Sequence, residues 1–75
     1  MNIDFEKSIE SYNAEMCKEM IGYIDIDINN LKNLSAPRLK TKMAMSGLSG
    51  EEVIARDLAM LERRKKLCLD RLRRI

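Results

Sequence analysis

Leu48-Ser49-Gly50-Glu51-Glu52-Val53-Ile54-Ala55-Arg56-Asp57-Leu58 opens a run that continues to Ile75 without another glycine or a proline. Ser49 with Glu52 three residues on is the pattern of a capping box. In that arrangement the serine oxygen accepts the N–H of the third residue, and the glutamate carboxylate reaches back to the serine N–H. Leu48 and Val53 stand on either side of the box, where apolar side chains staple the entry of a helix. Ile54, Leu58, Leu61, Lys65, Cys68, Leu72 and Ile75 then recur at steps of four and three, which lays one seam along a helical surface. The spacing predicts a long helix over about residues 50–74.

Upstream the same entry logic repeats. Leu34 precedes Ser35, a capping residue, and Pro37 falls in the first turn, where its missing N–H costs nothing. Leu39 stands where it could staple to Leu34, and Gly47 stands where a helix would end. A short helix over about residues 36–46 is expected, with Leu39 and Met43 turned inward. Before it, Phe5, Ile9, Tyr12, Met16, Met20, Ile24, Ile28 and Leu31 step by three and four, predicting an amphipathic helix over about residues 4–33. Met16, Met20 and Met43 follow these stripes and are expected in the core.

One stretch resists. Tyr23 to Asn29 alternates apolar and polar residues, which read alone is a half-buried strand. A lone strand has nothing to pair with, and Met20, Ile24, Ile28 and Leu31 carry the helical stripe through it. Helix is therefore expected, with Gly22 a place where it could bend or break.

The expected fold is all-α, a single domain over residues 1–75: a long antiparallel helical hairpin with a short connecting helix. That pairing sets Cys17 level with Cys68, and Lys65 level with Met20 and Glu19. Lys65 is expected to pack its stem and send its ammonium towards Glu19. A chain of 75 residues buries only about 60–65% of its unfolded surface. A homodimer in a four-helix arrangement is therefore expected.

The net charge of +2 hides a split. Residues 1–30 carry seven acids against two bases, residues 31–50 four bases and no acid, and residues 51–75 eight bases against five acids. The start is acidic and polar rather than signal-like, and no apolar run approaches membrane-spanning length. A cytoplasmic protein with reduced cysteines is expected.

The composition argues against chemistry. There is no histidine, which removes the commonest general base and metal ligand together. Cys17 and Cys68, flanked only by Lys18 and Lys66, make neither a zinc site nor an activated nucleophile and read as structural thiols. Asp25, Asp27 and Asn29 open like a calcium loop, but Asn30 stands where its glycine belongs and Ala36 where its glutamate must be. No catalytic activity, cofactor or metal is expected.

Arg63, Arg64, Lys65, Lys66, Arg71, Arg73 and Arg74 crowd the last helix, and Lys32, Arg38, Lys40 and Lys42 form a second basic region. Three readings of the C-terminal cluster stay open. Its cations suit a helix C-terminus and the acidic first helix; they suit an acidic protein surface; or they suit phosphates. Met43 to Ser49, followed by Val53 and Arg56, echoes a helix-turn-helix. The last helix is far longer than a recognition helix, though, and Glu51 and Glu52 would face phosphates. Met45 and Met60 fall off the seams and, with Ile26, are candidate contact residues.

The expected function is a small non-enzymatic protein-interaction module, of the kind phages and mobile elements make. It would regulate or inhibit a larger macromolecule by docking a helical face on an acidic protein surface. Its expected partner-binding residues are Arg63, Arg64, Lys66, Arg71, Arg73, Arg74, Met45, Met60, Lys40 and Lys42. The alternative is a small basic nucleic-acid-binding protein that uses the C-terminal helix on the phosphate backbone.

Overall fold

The computed structural model describes residues 7–75, so the expectations for Asp4, Phe5 and Glu6 lie outside the described residues. The described chain is all-helical, without strands. A helical segment whose described part is residues 7–9 is followed by α1 (Ala14–Lys32), α2 (Ala36–Ser46) and α3 (Gly50–Arg74).

The long first helix expected over residues 4–33 is interrupted. The N–H groups of Ser11 and Tyr12 donate to the carbonyls of Ser8 and Ile9 at 3.0 and 3.1 Å, closing a turn, and the Ser11 hydroxyl also donates to Ser8 O at 2.6 Å. Asn13 then starts α1 from an extended conformation, its side chain accepting the Met16 N–H at 2.8 Å. Asparagine does this well because its short amide oxygen reaches the orphan donors of a first turn. From there α1 runs through Gly22 and the alternating stretch to Lys32 without a break. The local strand pattern loses because its isoleucines serve a helical stripe: Ile24 is buried, Ile21 and Ile28 are half-buried, and Ile26 points away.

The other two boundaries follow local chemistry. Gly47 ends α2 in the left-handed region at φ 72°, donating to Met43 O at 2.9 Å, a conformation glycine adopts without a Cβ clash. Ser49 and Glu52 form the capping box, with Glu52 N–H to Ser49 Oγ at 3.2 Å and Ser49 N–H to Glu52 Oε1 at 3.4 Å. Ser35 differs from expectation. It holds the capping position before α2, but its side chain makes no capping hydrogen bond.

Ile9, Ile24, Leu31, Leu61 and Cys68 form the core cluster, with Tyr12, Met20, Ile21, Ile28, Leu34, Ile54 and Leu58 packed against it. Late turns of α3 meet the start of α1 and the chain before it: Arg71 Nε donates to Tyr12 O at 3.2 Å and Arg74 pairs with Glu10 at 3.1 Å. The two long helices therefore run in opposite directions. Lys65 pairs with Asp25 at 2.7 Å, not with Glu19. The two acids lie six residues apart, and at about 100° per residue they point to different sides of α1; Lys65 emerges on Asp25's side.

Cys17 and Cys68 are free thiols with no exposed surface. Burial pushes the Cys68 thiol above its usual range, and the neighbouring Cys17 adds to the shift. Met16 corrects a core expectation, since it is 42% exposed; it projects to the flank of α1 rather than along the buried line of Cys17, Ile24 and Leu31. The body is elongated, 40 × 22 × 13 Å. No helix among the described residues is long and apolar enough to cross a membrane.

Candidate protein-docking groove

α2 carries no buried residue and is held by side-chain contacts along the first turns of α3. Gly50, in the first turn of α3, faces the Leu39 and Met43 side chains, which would lie 3.5 and 3.7 Å from a Cβ placed there. Met43, expected inward, reaches α3 by that contact while staying 36% exposed. About two turns further along α3, Lys42 Nζ pairs with Asp57 Oδ2 at 2.8 Å. Arg56 closes on the other Asp57 oxygen at 3.3 Å. The Asp57 side chain is only 14% exposed. The Lys42 hydrogen bond, with help from Arg56, holds its carboxyl below the usual range against the opposing effect of burial.

Beside this clamp lies an open groove of about 300 Å³. Leu31, Leu34, Met60 and Leu61 supply its apolar surface, Asp27 and Asn30 line its α1 side, and Arg38, Lys42 and Asp57 complete the polar lining. A second cleft, also about 300 Å³, lies on the other side of Lys42 between Lys42, Met45, Ser46 and Arg56. Met45 stands there 84% exposed. The groove is at the lower end of the roughly 300–1,000 Å³ typical of small-molecule sites and lacks their enclosure.

The structure brings only some of the expected partner-binding residues together. Met45, Met60 and Lys42 gather around the α2–α3 clefts, whereas Lys40, exposed on α2, lines none of them and lies two residues from both Arg38 and Lys42, on the opposite side of that helix. The remainder lie further along α3, and Arg74 is fourteen residues beyond Met60, roughly 21 Å along the helix. There, Arg71 and Arg74 are engaged with Glu10, and Lys65 with Asp25. Arg64 is half-buried, while Arg63, Lys66 and Arg73 are exposed. The two basic regions distinguished in the sequence thus stand at separate places on the molecule.

Arg38 belongs to the second basic region but not to the expected contact residues, and neither Arg56 nor Asp57 is among those residues. A signal existed. Arg38, Lys42 and Met45 are spaced by four and three residues, which sets them on one side of α2. Asp25, Asp27 and Asn29 lie inside α1 rather than in a loop. Among the described residues no three His, Cys, Asp or Glu side chains gather where a metal ion could be held. Comparison of the chain with protein-family models, curated proteins and solved structures finds no match.

Proposed function

We propose that this protein is a non-enzymatic protein-interaction module. In this reading it is a helical hairpin with a connecting helix that docks the α2–α3 end on an acidic surface of a larger partner and so regulates or inhibits it. The observation that carries the proposal is the balance of apolar residues. Ile9, Cys17, Ile24, Leu31, Val53, Leu61 and Cys68 are buried, while Met16, Tyr23, Ile26, Met43, Met45, Leu69 and Ile75 are exposed. Single exposed apolar residues are ordinary. An 84%-exposed methionine beside an apolar groove and a basic rim has the make-up of a contact surface. Tyr23 and Ile26, 62% and 58% exposed on α1, leave apolar area for a second copy in a four-helix arrangement.

The nucleic-acid alternative draws less support, because Lys65, Arg71 and Arg74 are occupied by acids of the same chain. The two readings separate by photo-crosslinking. Benzoylphenylalanine placed at Met45 and irradiated in an extract of the source cells should give an adduct that protease destroys and nuclease leaves intact. A nuclease-sensitive adduct would overturn the proposal.

A further inference from the structure

We infer that the α2–α3 groove receives an acidic segment of a partner protein, with one apolar side chain inserted as its anchor. The inference rests on the protein-interaction reading above and gives that reading a site and a ligand chemistry. Charge selects the occupant. α2 contributes Arg38, Lys40 and Lys42 and no acid. Lys42 is taken by Asp57, which thereby has its own charge neutralised inside the groove. Arg38 lines the groove and has no ion-pair partner among the described residues. Asp27, on the α1 wall, repels carboxylates from that side and directs them to the α2 rim.

Shape selects the anchor. Leu31, Leu34, Met60 and Leu61 offer an apolar surface, and a pocket of about 300 Å³ suits one or two aliphatic side chains rather than a whole helix face. A desolvated anchor at the centre with charged contacts at the rim is how small interfaces concentrate their affinity. Met60, on the groove wall, can adapt to the anchor's shape, and Met45 lies on the adjoining cleft past Lys42. A nucleic acid is disfavoured here, because the groove has no aromatic ring on which a base could stack.

The test uses the full chain labelled with ¹³C at the methionine methyls and a short fluorescent peptide of glutamates with one central leucine. An all-glutamate peptide and a lysine peptide with the same leucine serve as comparators. The glutamate–leucine peptide should bind at least about tenfold more tightly than either comparator. It should move the Met60 and Met45 methyl signals and leave those of Met16 and Met20 in place. Arg38→Glu, an exposed position, should weaken binding by about tenfold or more. Lys66→Glu and Arg73→Glu, far along α3, should leave it unchanged. Equal binding of the all-glutamate peptide, shifts at Met16 and Met20, an inert Arg38→Glu, or no binding at all would each overturn the inference. If the peptide fails while the Met45 crosslink still yields a protein adduct, this inference falls alone. A nuclease-sensitive adduct removes both readings.

Discussion

Replacing Gly22 with alanine tests the helix at the point where the sequence was most ambiguous. Gly22 lies in the interior of α1 with no positive φ, and a Cβ built there meets nothing within 4 Å. Alanine therefore fits without strain. It gains the propensity difference of about 0.8–1.0 kcal/mol, partly because the unfolded chain loses the freedom glycine gave it. For a domain of this size each kcal/mol moves the melting temperature by roughly 4–8 °C. Gly22→Ala should therefore raise the midpoint followed by circular dichroism at 222 nm by about that amount. It should do so equally at low and high protein concentration. An unchanged or lower midpoint would refute the reasoning. It would mean that α1 bends at Gly22, or that another backbone packs there so closely that a methyl group cannot enter.

Asn13→Ala removes the side chain that receives the Met16 N–H and should cost about 1 kcal/mol in urea unfolding; a neutral result would mean the turn at Ser11 holds without the cap. Asp57→Asn should cost about 1 kcal/mol near neutral pH, the Lys42 partner being partly exposed. Because the folded-state carboxyl is held below its usual range, the unfolded chain takes up the proton first as pH falls. The stability Asp57 contributes stands above about pH 4 and is lost as pH drops through its folded-state value. The gap between wild type and Asp57→Asn should therefore narrow in acid, and a gap that is constant down to strong acid would contradict the assignment. Cys17 and Cys68, both without exposed surface, should react with a thiol reagent only when the fold opens, roughly a hundredfold more slowly than a free thiol for an opening of about 3 kcal/mol. Reaction of either at the free-thiol rate would show that the α1–α3 contact is not closed around them.

Local chemistry was the most legible part of the chain. Ser49 and Glu52 complete each other within one turn, and Gly47 supplies a left-handed residue that few others tolerate, so both boundaries of the α2–α3 turn can be read without knowing the rest. The turn before α1 was hidden by periodicity. Ile9 and Tyr12 remain packed in the core although the helix breaks between Ile9 and Ala14, so the apolar stripe passes across a turn unchanged. Asn13, whose side chain caps the first turn of α1, is the local mark of that break. Lys65 illustrates a second limit. Spacing tells which turn of a helix a residue occupies, whereas its partner depends on the side from which the neighbouring helix is approached, and Asp25 rather than Glu19 lies on that side. The groove needed the same information, because Arg38, Met60 and Asp57 meet only once α2 has folded onto one flank of the α1–α3 pair.

The most direct test of the protein-partner account is a salt titration of binding to labelled random-sequence duplex and single-stranded DNA. Among the C-terminal cations Lys65, Arg71 and Arg74 are engaged with acids of the same chain, and Glu62 and Asp70 are interleaved with the rest. The account therefore predicts no saturable binding at physiological salt and only a shallow dependence below it. Tight binding that falls along a steep log–log slope, reporting several neutralised phosphates, would contradict it and make the last helix a nucleic-acid surface.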